Sequence, residues 1–407
     1  MTFISVKDAS GKEIKLGLPE IDQADPLKVS VRVPSVLQAG GYTVAWRTAA
    51  SDGHPSHGTF SFVVLTGIAP PGHTAIPQSG TVADTVGGGN TTTASSMRAE
   101  NDEQADAASS VGNSLARTFS FVGLLALIGT IAFRTLVLPR ARGVNAELSG
   151  LMARRAAVLG FAASILVIVS AFARMFLESQ MMSTMPDMQT MSMTDMAMHT
   201  RWGIAVSLEF GAAFLALVCF ALAVRRIRGA WLVASMSAIV LAVTPALAGH
   251  AASSPRFTSL MIVSDFLHVL GGASWLGSLL GVLVIGIPLS LTLDGGERWS
   301  SVASLVNSFS PIALASAAVV VVSGSIASWV HVEHLSDLWQ TAYGRILMIK
   351  LALVAITLTI GAYNFRKVQP QLANEAGSAR LKRSAALELG VGFLILLVTG
   401  FLTGISP

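Results

Sequence analysis

The chain has 407 residues, of which 52% are hydrophobic and only 12% charged, and its formal net charge is +4 at pH 7. A soluble globular chain carries roughly 25% charged residues, so this composition excludes an ordinary soluble globule and raises the question of how many segments span a bilayer. The positive balance requires no nucleic-acid partner, because cytoplasmic loops of membrane proteins carry an excess of Lys and Arg. The single cysteine, Cys219, lies in an apolar run, which excludes an intrachain disulfide and a Cys-based metal site. Neither a Walker-type phosphate loop nor a Gly-rich dinucleotide fingerprint occurs, so ATP-driven pumping by this chain alone is not expected, nor is an enzyme activity.

Residues 1–65 hold short alternating runs at Phe3 to Val6, Leu27 to Val33, Tyr42 to Arg47 and Thr59 to Val64, separated by Gly, Pro and Asp. They predict a small antiparallel β unit. Residues 66–113 are rich in Gly, Ser, Thr, Ala and Pro, with an acidic patch from Glu100 to Asp106, and read as a disordered linker. From residue 114 onward the chain reads as a membrane domain of about eight helices, placed near 115–138, 151–177, 202–224, 230–249, 258–291, 302–330, 344–365 and 385–405. The runs 258–291 and 302–330 exceed the roughly 20 residues that cross the hydrocarbon core, which implies tilt or protruding ends. The fold class is therefore mainly α, a polytopic eight-helix bundle with a small N-terminal β domain.

Basic residues set the orientation. One set of loops carries Arg140, Arg142, Arg154 and Arg155, then Arg225, Arg226 and Arg228, then Arg366, Lys367, Arg380, Lys382 and Arg383. The opposite set carries little beyond Arg201, Arg256 and Arg345. The first set is predicted to be cytoplasmic, with both termini and the β unit outside. Met1-Thr2-Phe3-Ile4 is not a signal peptide, so an external N-terminal domain implies either that the first helix translocates a long N-terminal tail or, the favoured reading, a start upstream of Met1.

In this topology none of the eight histidines is cytoplasmic. His54, His57 and His73 fall in the external N-terminal region, and His199, His331 and His334 in outer loops. His250 ends the fourth span at its outer face, and His268 lies inside the fifth. Any one of them alone signals little, but exclusion from one side suits imidazole as a metal ligand. The second outer loop carries Met181, Met182, Met185, Met188, Met191, Met193, Met196 and Met198, followed by His199, in a polar stretch. Methionine normally fills gaps in packed cores, and a solvated loop offers no such reason. Soft thioethers select Cu(I), so copper or silver binding is expected here. The plainer alternative, a floppy lipid-surface anchor, fits the interleaved Ser, Thr, Asp and Gln less well.

The fifth span carries Asp265-Phe-Leu-His268, and the i, i+3 spacing places both side chains on one helical face. They lie roughly 12 to 17 Å into the helix from Phe257, a depth at which an ionisable residue costs roughly 2.5–3.5 kcal/mol and faces a partner in the bundle. His250, after Pro245, is positioned to approach them. Lys350, about 10 Å into the seventh span, is the candidate ion partner of Asp265. A structural Asp–Lys bridge with a hydrogen-bonded His remains the alternative. Glu209 and Glu388 offer no spacing with His and read as structural.

Gly40-Gly41-Tyr42-Thr-Val-Ala-Trp46-Arg47, Ser51-Asp52-Gly53-His54-Pro55 and Gly58-Thr-Phe60-Ser-Phe62 resemble the C-terminal part of CopC-type copper-binding domains. Gly249-His250-Ala251, Asp265-Phe-Leu-His268 with Trp275-Leu-Gly277, and Tyr343-Gly344-Arg-Ile-Leu-Met-Ile-Lys350 with Asn364 resemble CopD-type membrane proteins. Together they are similar to bacterial CopC–CopD fusions of the YcnJ-like kind. The resemblance implies copper import across the cytoplasmic membrane, with copper as Cu(I) or Cu(II), a lipid bilayer, and a periplasmic or extracellular copper chaperone as partners. It also implies that Cu(II) in the CopC part is held by an N-terminal His with its amine plus Asp52 and His54. The first ligand has no counterpart here, because the sequence opens at Met1 within the expected β fold; the CopC-type domain is read as incomplete. The metal set expected for the whole chain is thus His250, Asp265 and His268 in the bundle, Asp52 and His54 in the β domain, and the outer Met and His residues including His331 and His334. Two rival functions carry different tests: a haem electron carrier using His250 and His268 as axial ligands, which a visible absorption spectrum separates, and a copper sensor or chaperone without transport, which flux assays separate.

Overall fold

The computed structural model describes residues 2–17, 19–22, 28–33, 36–49, 55–64, 92–183, 194, 197–198, 200–227, 229–249, 257–332, 334–371 and 375–404. The chain divides into two compact units, Met1–Asp106 and Ala107–Pro407.

In the first unit, β1 (Thr2–Asp8), β2 (Glu13–Ile14), β5 (Gly40–Ala49) and β6 (Pro55–Val64) form an antiparallel sheet in the order β2-β1-β5-β6. The short strands β3 (Glu20–Ile21) and β4 (Val29–Ser30) pair separately. Alternation sets the buried face: Val6, Tyr42 and Val44 are buried, with Ile4, Ile14, Phe62 and Val64 packed on them. Tyr42 and Phe62 are cross-strand partners, and their rings stack with centroids 5.5 Å apart. The β1–β2 turn closes on Asp8, whose Oδ1 accepts from the Ser10 hydroxyl and from the Ser10 and Lys12 amides. The Ser10 hydroxyl first, then the Lys12 amide, holds this carboxyl below its usual range. Gly11 supplies the left-handed backbone of the turn at φ +82°.

The second unit has eight helices long and apolar enough to cross a membrane among the described residues. They are α1 (Thr92–Ala132), α2 (Ala146–Ser183), α3 (Arg201–Val224), α4 (Ala230–Ala248), α5 (Thr258–Gly272, continuing to Ser290), α6 (Gly295–His331), α7 (Ala342–Tyr363) and α8 (Glu375–Leu402). The chain is thus a multi-pass membrane protein, and each of the eight spans read from hydropathy coincides with a helix. Thr200 and Thr341 cap α3 and α7, each accepting from the amide three residues on at 2.9 Å. The linker expectation over 66–113 meets a helix from Thr92: residues 92–113 are continuous with the first span, and Ala, Glu and Arg within 97–110 favour that helix. Residues 66–91 lie outside the described residues.

Small residues let the helices approach closely. A Cβ on Gly129 of α1 would lie 2.2 Å from the Cα of Gly277 in α5, and one on Gly160 of α2 would lie 2.5 Å from the Phe220 ring of α3. Phe133, Met152, Trp275 and Leu305 centre one buried cluster, and Leu127, Phe220 and Leu241 another. Val169, Phe172, Leu232, Leu314 and Val322 are exposed on the helix exteriors. Such an apolar exterior would be a liability in water; on membrane helices it is the lipid-facing surface. Among the described residues four π segments interrupt the spans, at Phe133–Val137, Ala273–Gly277, Val282–Gly286 and Asn364–Val368.

Candidate copper site in the helix bundle

Asp265 and His268 sit on α5 as the i, i+3 spacing requires, both half-buried. The neighbouring α6 is fitted to this face of α5. Ser264 Oγ donates to the Ser323 carbonyl at 2.9 Å, and His268 Nδ1 lies 3.1 Å from Ser323 Oγ. Gly324 leaves room for the imidazole, since a Cβ there would stand 3.3 Å from His268 Cε1. The tautomer follows from the serine. Ser323 Oγ gives its own proton to the Val319 carbonyl at 2.7 Å. Its lone pair is then what meets the ring, so Nδ1 carries the proton and donates. A neutral imidazole protonated at Nδ1 keeps its lone pair on Nε2, the state a metal ligand needs.

The third wall is α7. Lys350 lies in electrostatic range of both Asp265 and His268, and Asp265 also acts on Tyr343. The bundle therefore gathers an imidazole, a carboxylate, an ammonium and a phenol from two helices, with α6 orienting the imidazole.

Other expected ligands fall differently. His250, Asp52, His54, Met185, Met188, Met191, Met193, Met196 and His199 lie outside the described residues. Met181 and Met182 belong to the last turn of α2, and His331 ends α6. Met198 is 72% exposed, so it packs into no core. His334 is exposed, and its backbone amide donates to Asp337 Oδ2 at 2.9 Å. Among the described residues, no three His, Cys, Asp or Glu side chains stand together as a metal set.

Three segments of the chain match known families. The CopC domain matches residues 1–65, the N-terminal domain of copper resistance protein D-like proteins matches residues 107–255, and copper resistance protein D matches residues 303–402. The chain is a CopC–CopD fusion. A relative of the fusion is the copper transport protein CutJ of Bacillus subtilis (strain 168), 27% identical over 168 residues. That match spans 41% of this chain and 29% of CutJ. No solved structure matches the fusion. The His268 cluster lies on α5, between the two CopD-related segments, and its α6 and α7 partners lie within the copper resistance protein D match.

Glu209 and Glu388, read as structural from the sequence, each hold a buried polar network whose partners the sequence did not name. Arg174 Nη1 of α2 donates to Glu209 Oε2 of α3 at 2.9 Å, and the Ser120 hydroxyl of α1 donates to Glu209 Oε1. Glu388 of α8 accepts from Trp275 Nε1 at 3.0 Å and from Asn364 Nδ2 at 3.1 Å. Intramembrane charge was the available signal for both. Their partners, however, stand 35, 89, 113 and 24 residues away in sequence, beyond the reach of any local spacing rule.

Proposed function

We propose that the fusion carries copper ions inward across the bacterial cytoplasmic membrane. The observation that carries this reading is His268, held by Ser323 with its Nε2 lone pair available, beside Asp265 inside a bundle related to copper resistance proteins. A lipid-buried imidazole and carboxylate are costly unless they serve a partner. In this reading the external Met and His groups, Met181 to His199 with His331 and His334, collect the ion. Asp52 and His54 take part in the CopC domain. His250 joins Asp265 and His268 as the third ligand from α4, and a methionine or water completes the set. Lys350 neutralises Asp265 when the site is empty and yields it when the cation arrives. The membrane potential supplies about 2.3 kcal/mol per charge per 100 mV for inward movement. Copper uptake into proteoliposomes under oxidising and reducing conditions tests the reading. Protein-dependent uptake supports it, and uptake no faster than protein-free vesicles refutes it.

The inward direction needs the basic loops to be cytoplasmic. Reporter fusions at Pro407 and in the 366–383 loop are separated by α8 alone, so they are expected on opposite sides, with Pro407 outside. Both reporters on one side would remove α8 as a span. Pro407 inside would invert the bundle.

The collecting role of the second outer loop has its own test. A peptide from Met181 to His199, titrated with Cu(I) against a competing chelator, is expected to bind weakly and exchangeably, because thioethers are soft but uncharged ligands. Exchange of its methionines for Leu is expected to abolish that binding. Unchanged affinity would mean that the loop collects no copper.

A further inference from the structure

A second polar station sits deeper along α5. Glu388 is 3% exposed, and each carboxylate oxygen accepts one neutral N–H, from Trp275 Nε1 and Asn364 Nδ2. Both donors stand in π segments, Ala273–Gly277 of α5 and Asn364–Val368 at the end of α7. A π turn shifts the register of a helix by one residue and recurs at functional sites. Here two such turns aim donors from different helices at one carboxyl group. The remaining amide oxygen, Asn364 Oδ1, is buried without a hydrogen-bond partner.

Trp275, Asn364 and Glu388 line a cavity of about 450 Å³ between α5, α6, α7 and α8. Its wall is mostly apolar. Ser310 of α6 and Arg366 and Gln369 beyond α7 lie on the lining toward the basic end of the bundle. Among the described residues, Arg366 is the one other charged group on that lining, and it makes no ion pair with Glu388. α5 and α6 bring no titratable group to the cavity.

A buried carboxylate held only by two neutral donors lacks a counter-charge. The group that supplies one must suit oxygen ligands, and Cu(I) prefers sulfur and nitrogen. A proton fits. The carboxyl O–H then needs an acceptor, and Asn364 Oδ1 is a buried acceptor without a donor on the amide already bonded to Glu388. We infer that Glu388 is a proton-exchange site, loaded and emptied through this cavity, and that proton release there is coupled to copper occupancy at His268.

The step is Glu388 carboxyl to carboxylate plus a proton passed to water at the basic end of the cavity; no oxidant or reductant takes part. Trp275 follows His268 by seven residues, which places the two stations about 10 Å apart along α5. At that distance in a protein interior, a copper charge lowers proton affinity on the order of tenfold, and the reverse holds equally. Mutual exclusion of this kind links copper binding to proton release. The coupling, though not the proton site, rests on the transport reading above.

Infrared difference spectra of the purified full chain, stepped in pH, test the proton site. A protonated-carboxyl band that titrates in the wild type and is missing in Glu388→Gln is expected, because Gln keeps the shape and one acceptor oxygen but holds no titrating proton. A band unchanged in Glu388→Gln, or no titrating band in the wild type, overturns the site. Should Glu388→Gln not be recovered folded, Trp275→Phe removes one donor and is expected to shift the band; an unshifted band overturns the assignment equally. In weakly buffered detergent solution with a pH-sensitive dye, copper binding to the wild type is expected to release a proton, and Glu388→Gln to bind copper and release one proton fewer. Equal proton release in the two overturns the coupling. A titrating band with no copper entry at all refutes the transport reading and leaves the proton site standing.

Discussion

Glu209→Ala is expected to cost most of the folded protein recovered in detergent. Glu209 is 1% exposed, and Arg174 reaches it at 2.9 Å from the neighbouring helix while Ser120 holds its other oxygen from α1. The guanidinium also lies 5.9 Å from the centre of the Trp202 ring, over which it packs. Three helices are thus tied at one buried charge. Truncating one partner of such a pair leaves the other ionised in a low-dielectric interior, at a cost of about 3–5 kcal/mol. That is a large share of a typical folding free energy of about 5–15 kcal/mol. Removing both charges is a different matter, because a packed apolar pair of similar volume no longer has a stranded ion. The double variant Glu209→Leu with Arg174→Met is therefore expected to recover most of the lost stability, a non-additivity of the kind neighbouring partners show. Thermal unfolding followed by size-exclusion chromatography checks both. A wild-type midpoint in Glu209→Ala would show that the pair holds nothing together, and an unrecovered double variant would point to a role for the charges beyond structure.

Hydropathy made the eight spans legible because lipid exposure imposes it on every turn of α1 to α8, and alternation made β1, β5 and β6 legible because only one sheet face meets Val6, Tyr42 and Val44. The i, i+3 rule placed Asp265 with His268 without any tertiary information. What it could not supply was α6. Nothing in the spacing of Ser323 and Gly324 says that they face His268, because that depends on the α5–α6 crossing. The four π segments were likewise illegible, since a register shift is decided by what the next helix offers. Glu209 and Glu388 were read as structural for lack of a nearby His. Arg174 bears that out for Glu209, whereas the cavity and the orphaned amide of Asn364 set Glu388 apart.

His268→Ala is expected to abolish copper flux per folded molecule while the protein still inserts. The side chain is half-buried and tethered by neutral groups of α6, Ser323 among them, so its removal opens space beside Gly324 but strands no charge. A neutral His lost from such a place costs far less stability than the Glu209 pair. Its loss as a ligand cannot be replaced by Asp265 alone, since one carboxylate is a poor copper set. His250→Ala is expected to behave in the same way if the α4 end supplies the second imidazole. Asp265→Asn is expected to impair flux through lost ligation and through Lys350, whose charge would then stand uncompensated on the ion path and repel the cation. Ser323→Ala separates positioning from ligation. It leaves every ligand in place but frees the imidazole to move its proton to Nε2, the atom that must bind. Loss of a partner of this kind typically costs 10–100-fold in metal affinity or activity, so the expected result is about a tenfold fall in flux with folding unchanged. A purely structural His268 predicts the reverse pattern, with less folded protein and normal flux in what survives. The deciding quantity is copper flux divided by folded protein in the same vesicles. Wild-type flux per molecule in His268→Ala would remove the site from the copper path, whatever its effect on yield.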